Sequence, residues 1–295
     1  MNFKEELNHK VGKIEELLRE YLPEEAGFQR TIFEAMNYSV LAGGKRLRPL
    51  LMQESGRLFG REGKELGPFM AAMEMIHSSS LVHDDLPAMD ADEYRRGRKT
   101  TWVVYGEDMG ILAGDGLMIY AFETASKAFE ETDRPDLVGA CIRILAEKTG
   151  VYGMIGGQTV DVELTGKPVP EEQLDFIYRL KTGALLEASM MIGAILGGAD
   201  KEQAALMGQV ASDVGLAFQI QDDILDVTST SEVLGKPVGS DEKNEKTTYV
   251  TLHGLSAAKK QVEFYSRRAV GALKGLPVQN EFLNELILTL ITREK

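Results

Sequence analysis

The chain has 295 residues, 43% hydrophobic and 27% charged, an ordinary balance for a soluble globular protein with room for one or two cores. Its net charge of −13 argues against a nucleic-acid partner, and its single cysteine, Cys141, excludes an internal disulfide and suits a reducing compartment. The N-terminal stretch MNFKEELNHKVGKIEELLREYL carries charges every few residues, unlike a signal peptide, and no later segment reads as long and apolar enough to span a bilayer. The expectation is a cytoplasmic protein without stable membrane insertion.

Phe3, Leu7, Ile14, Leu17, Leu18 and Tyr21 recur at helical spacing until Pro23 stops the segment. A second helix carries Ile32, Phe33, Met36, Val40 and Leu41 and ends at Gly43-Gly44. Further helical patterns lie around 49–60, 66–86, 107–131, 136–149, 171–197, 201–227, 256–274 and 279–292, and strand-type alternation is scarce. No internal repeat, low-complexity tract or interdomain linker is visible, so the chain reads as all-α and as one domain over 1–295. Two loops stand out, 87–106 and 228–247, and each follows a segment that ends in paired aspartates.

Those pairs are the chemical signal. Pro87 disfavours helix at the residue before it, which places Asp84 and Asp85 at a helix C-terminus, where the macrodipole repels anions. A bound cation is their natural partner, and Asp90 lies close enough to share it. In QDDILD, Asp222, Asp223 and Asp226 are spaced to share one helical face beside apolar Phe218, Ile220, Ile224 and Leu225. Carboxylates so crowded raise one another's pKa, and a hard divalent ion with oxygen ligands relieves that. Either cluster alone reads as a solvated acidic patch; two of like form, each at the mouth of a loop, read as a site. Basic residues gather at Lys45-Arg46-Arg48 and Arg95-Arg96-Arg98-Lys99, the local cations an anionic substrate needs in an acidic protein.

GGKRLRP at 43–49, IHSSSLVHDDLPAMD at 76–90, RRG at 95–97, KTG at 181–183 and QDDILD at 221–226 resemble the trans-isoprenyl diphosphate synthases, in family order over nearly the whole chain. The spacing inside DDLPAMD resembles the bacterial short-chain branch, the farnesyl diphosphate (geranyltranstransferase) synthases. The resemblance implies an antiparallel helix bundle around an active cavity, in a homodimer. It also implies isopentenyl and allylic diphosphates as substrates and Mg²⁺ as cofactor, with Mn²⁺ as the alternative ion.

By the family pattern, Asp84, Asp85 and Asp90 with Asp222 would hold three Mg²⁺ ions on the allylic diphosphate, and Asp223 and Asp226 would support through water. Arg95, Lys181, Lys236 and Lys246 would contact that diphosphate, with Lys243 as a substitute for Lys246. Lys45, Arg48, His77 and Arg96 would anchor isopentenyl diphosphate, and Thr182 and Gln219 would lie beside the developing carbocation. His83, and Gln158 and Asp161, which follow what reads as a glycine-rich turn in GMIGGQ, read as supporting residues. Glu245 and Val250 depart from the family pattern and put the geometry of the second loop in question. Ionising an allylic diphosphate leaves a pyrophosphate anion, which explains the metal and the Arg/Lys clamp, whereas the second substrate needs only anchoring cations.

Product length depends on the floor of the tail cavity. Enzymes of this family that stop at fifteen carbons resemble one another in placing an aromatic residue four or five positions before the first aspartate; here Ser80 and Ser79 stand there. Met75, Ile76 and Ala72 lie deeper, and Tyr120 or Phe122 is the alternative cap. The small floor favours a geranylgeranyl product and the bacterial likeness a farnesyl product. The competing readings are a class I terpene cyclase, against which QDDILD and GGKRLRP argue, and a silent subunit of a heteromeric synthase, against which two intact clusters argue.

Overall fold

The computed structural model describes residues 2–228 and 247–292. Fourteen α-helices carry these residues. They are α1 Phe3–Tyr21, α2 Arg30–Val40, α3 Leu47–Leu58, α4 Leu66–Asp84, α5 Thr101–Tyr105, α6 Glu107–Ser126 and α7 Pro135–Thr149. There follow α8 Met154–Glu163, α9 Glu171–Ile177, α10 Ala184–Gly197, α11 Lys201–Thr228, α12 Tyr249–His253, α13 Leu255–Lys274 and α14 Glu281–Ile291. The fold is all-α. Among the described residues, strand pairing is confined to a hairpin of β1 Tyr94–Arg95 and β2 Arg98–Lys99.

Local chemistry sets several ends. Asn2 and Glu5 close a capping box on α1, Pro135 opens α7 at its first position, and the Asn280 side chain accepts the Leu283 N–H to start α14. The centre is α4, whose buried residues run from Leu66 to Val82 and face every direction, as a helix apolar all round requires. It packs against α1, α2, α3, α6 and α10; α10 in turn joins α3, α7 and α11, and α11 joins α13 and α14.

Four features differ from the sequence expectation. The loop at 87–106 holds the hairpin and α5. GMIGGQ belongs to α8 rather than to a turn, because close packing outweighs glycine's poor helix propensity: a Cβ on Gly157 would stand 2.3 Å from the Lys181 backbone nitrogen. The stretch 171–197 is interrupted by a π-helical turn, Tyr178–Gly183. That same stretch, Glu171–Gly197, is long and apolar enough to cross a membrane by length and composition, which corrects the reading that no segment is. Within the bundle 67% of its apolar window is buried, so helix neighbours satisfy its apolar surface.

Arg46, inside the basic cluster, is only 2% exposed and left-handed (φ +46°). Its guanidinium donates to Glu15 (2.6 Å), Glu74 (2.7 Å) and the Val40 carbonyl (2.7 Å), so it ties α1, α2 and α4 to the start of α3. Arg46→Met leaves Glu74 buried without its counter-charge and costs about 3–5 kcal/mol of unfolding free energy, measured by urea melts.

Candidate active site

Asp84 closes α4 and Asp85 caps it. The chain then turns so that the Asp90 N–H reaches the Asp84 carbonyl at 2.9 Å, bringing the third carboxylate of the first cluster back to the helix end. This corner opens on a cleft of about 730 Å³. Asp90 and Asp92 line one side, Gln158 and Asp161 of α8 another, and Tyr178, Lys181, Thr182, Gln219, Asp223 and Thr247–Thr248 the rest.

The acidic corner is held by protein donors. Gln158 Nε2 donates to Asp84 (2.8 Å), and Arg95 grips Asp85 through Nε (2.7 Å) and Nη2 (2.6 Å). Lys181 donates to Asp161, so α8 steadies both an aspartate and a lysine of the cleft. Burial is the main force raising the Asp84 pKa; Lys181 and Arg95 oppose it, and Asp90 and Asp85 add to it. Burial likewise raises Asp85 despite the Arg95 hydrogen bonds. Both carboxylates are therefore paying a charge penalty that a further cation would relieve. Among the described residues no three His, Cys, Asp or Glu side chains form a ready-made metal cage.

The cationic partner region forms where the hairpin meets the glycine turn before α3. Arg96 (φ +54°) and Gly97 (φ +74°) make the hairpin turn, and Arg96 donates to the Gly43 carbonyl. Gly44 takes φ +143°, a backbone region that strains any side-chain-bearing residue, and lies against the Arg96 guanidinium. Arg48 and His77 lie in the same electrostatic neighbourhood. Burial pushes Arg48 down to about 10 against the pull of Glu74, and its buried Nε has no hydrogen-bond partner. Burial, then Arg48, Arg96, Arg46 and Arg95, depress His77 well below its usual range. Crowded cations with an unsatisfied donor form a patch suited to an anion. Lys45 stands exposed at its edge.

The remaining sequence-predicted residues fall as follows. Thr182 Oγ1 donates to Gln219 Oε1 at 3.1 Å, joining the π-helical turn to α11. Asp222 is half-buried on α11, and Asp223 and Asp226 are buried. His83 approaches the Ile111 carbonyl (3.2 Å) and Asp115 of α6 (3.5 Å). Ser79 is fully buried and donates to the Gly114 carbonyl of α6 (2.8 Å), while Ser80 returns its hydroxyl to the His77 carbonyl (2.9 Å). Beneath them Thr124 Oγ1 meets Met75 Sδ at 3.7 Å. Lys236, Lys243, Glu245 and Lys246 lie outside the described residues. Sequence reasoning passed over Tyr178, whose only signal was its place three residues before Lys181.

An all-α bundle that carries an acidic helix end opening on a cleft, and a separate patch of crowded cations, suits anionic, phosphate-bearing substrates. The chain belongs to the polyprenyl synthetase family, whose model matches residues 29–272. It is 42% identical to the farnesyl diphosphate synthase of Geobacillus stearothermophilus, over 94% of this chain and 93% of that one. It is 43% identical to the geranylgeranyl diphosphate synthase of Cyanophora paradoxa, over 87% and 85%. In three dimensions it matches the geranylgeranyl pyrophosphate synthetase of Pyrococcus horikoshii with a TM-score of 0.90 at 30% identity, covering 99% of this chain and 100% of that one.

The pKa shifts carry signs that can be measured. A carboxylate with a raised folded pKa binds more protons folded than unfolded, so it lowers stability as pH rises from its usual value through the raised one. Asp84→Asn is therefore expected to raise the melting temperature at pH 7.5 while cutting turnover by roughly a hundred-fold or more. His77 behaves oppositely: its depressed folded pKa removes stability as pH falls through the unfolded value near 6.5. His77→Gln should flatten the acid limb of urea stability between roughly pH 5 and 7.

Proposed function

We propose that this chain condenses isopentenyl diphosphate with the allylic diphosphates dimethylallyl, geranyl and farnesyl, releasing pyrophosphate and giving farnesyl and geranylgeranyl diphosphate. It is a prenyltransferase of short-chain prenyl diphosphate synthesis, in the geranyltranstransferase group, as its relatives are. The observation that carries the reading is the presence along one helix, α4, of carboxylates raised by burial at its end and of His77 amid crowded cations that include an unsatisfied Arg48 donor.

The residues fit the cofactor. Asp84, Asp85, Asp90 and Asp222 offer hard oxygen donors only, and the burial penalty on Asp84 and Asp85 favours a divalent cation there. These four would hold Mg²⁺, three ions in the family pattern and Mn²⁺ as the alternative. Bound there, the metal supplies Lewis-acid stabilisation of the charge that builds on the departing pyrophosphate. Arg95 and Lys181 add fixed positive charge on the allylic diphosphate, with Lys236 and Lys246 as further contacts. Arg48, Arg96, His77 and Lys45 hold isopentenyl diphosphate without metal; His77, kept neutral by burial and by its cationic neighbours, contributes a hydrogen bond rather than charge. Thr182 Oγ1 and the Gln219 amide present their dipoles to the allylic cation. The allylic C–O bond breaks, the isopentenyl double bond supplies the electron pair for the new C–C bond, and a proton leaves to pyrophosphate.

Chain length follows from α4. Ser79 is small where an aromatic floor would stand and bonds its hydroxyl to α6, which favours a twenty-carbon product. One polyprenyl synthetase domain spans 1–295 and works as a cytoplasmic homodimer. The apolar face that α6 leaves exposed, with Ile119 70%, Leu112 50% and Ile111 43% accessible, supports a second copy as its cover.

Magnesium-dependent release of pyrophosphate from isopentenyl diphosphate with geranyl or farnesyl diphosphate tests the reading, and no turnover with any allylic starter overturns it. Arg48→Met should raise KM for isopentenyl diphosphate about ten-fold or more and leave the allylic KM unaltered. Ser79→Tyr should shorten the product to fifteen carbons on chromatography; an unchanged product removes Ser79 as the floor.

A further inference from the structure

The two neighbouring aspartates of the second cluster differ in surroundings. Asp223 is 3% exposed, and its Oδ2 accepts two hydrogen bonds, from the Tyr178 hydroxyl at 2.6 Å and from the Tyr249 backbone N–H at 2.9 Å. Both donors sit at structurally decisive points. Tyr178, itself 7% exposed, is the first residue of the π-helical turn that carries Lys181 and Thr182. Tyr249 is the first residue of α12.

We propose that Asp223 is a positioning residue. Its Oδ2 joins the phenol of Tyr178 to the backbone of Tyr249 and thereby fixes the π-helical turn that presents Lys181 and Thr182 to the allylic diphosphate.

The physical case rests on the geometry of that turn. A π-helical turn is a poorer backbone arrangement than an α-helix and persists where surrounding contacts determine it. Here those contacts are identifiable. Gly157 of α8 lets the two backbones approach at Lys181, Thr182 bonds Gln219 across the cleft, and Tyr178 bonds Asp223 at the turn's start. A short hydrogen bond from a phenol to a carboxylate is stronger than one between neutral groups, and both partners are almost out of water, so its loss is felt fully. Thr247 Oγ1 accepts the Val169 N–H at 3.2 Å, a second tie between the segment entering α12 and the same side of the cleft. Oδ2, shared by a phenol and a peptide N–H, is committed to the cleft wall. This separates the work of adjacent residues: Asp222 for the metal, Asp223 for the wall.

The inference rests on the assignment of Lys181 and Thr182 to the allylic substrate, and steady-state kinetics on four single variants separate the two. KM is measured for geranyl diphosphate and for isopentenyl diphosphate, together with the half-saturating Mg²⁺ concentration. Tyr178→Phe, which removes only the hydroxyl, should raise KM for geranyl diphosphate about five-fold, with the isopentenyl and Mg²⁺ values within about two-fold of the parent. Asp223→Ala should do so more strongly, and Asp223→Asn, whose amide oxygen can accept both donors, should recover most of that loss. Lys181→Met should raise the same KM. Where Asp223→Ala does not fold, the Tyr178→Phe and Asp223→Asn pair decides. A silent Tyr178→Phe beside a damaged Lys181→Met overturns the positioning role alone. A silent Lys181→Met overturns the substrate assignment and the inference with it. A ten-fold rise in half-saturating Mg²⁺ for Asp223→Asn makes Asp223 a metal ligand and also overturns the proposal.

Discussion

A helix packed on every side that nevertheless ends in two carboxylates is the constraint on which the rest of this structure depends. Nearly all of α4 is buried, so its position is set by α1, α2, α3, α6 and α10 before any polar contact is made. Its C-terminus then places Asp84 and Asp85 where both the helix dipole and desolvation oppose their charge. Three donors answer that problem: Gln158 turns to Asp84, Arg95 to Asp85, and the Asp90 N–H to the last turn of the helix. What looks like a list of active-site contacts is the compensation of one expensive helix end.

The same helix also faces the opposite imbalance. About two turns before Asp84, His77 lies among the fields of Arg48, Arg96, Arg46 and Arg95. Of those four, Arg46 and Arg95 are matched by carboxylates, whereas Arg96 is bonded to a carbonyl and Arg48 keeps an unsatisfied buried Nε. Cations of α3 and the hairpin therefore surround His77 on the same helix that ends in Asp84 and Asp85.

Amphipathic spacing made the long helices readable, and the aspartate, lysine and arginine motifs drew attention to the residues that surround the cleft. The elements missed are those whose conformation depends on neighbours. GMIGGQ looked like a turn because glycine disfavours helix in isolation, yet α8 needs those glycines to lie against the Lys181 backbone. The break in the stretch 171–197 has no propensity signature, because a π-helical turn is maintained by contacts from α8 and α11. Arg46 and Arg48 are two residues apart in one basic motif. The left-handed backbone at Arg46 sends its guanidinium into the bundle as a structural ion-pair partner, while Arg48 stays with the anion patch.

By itself the sequence determined the all-α class, the order and rough limits of the major helices, and the chemical character of the site, because hydrophobic period and charge type are local properties of the chain. Only the tertiary structure decided which partners each of two adjacent like residues takes. Asp85 is taken by Arg95 and Asp223 by Tyr178 and Tyr249, and the apolar stretch 171–197 lies against helix neighbours within a bundle. Those outcomes turn on desolvation and on partners distant in sequence, and neither exists until the helices have packed.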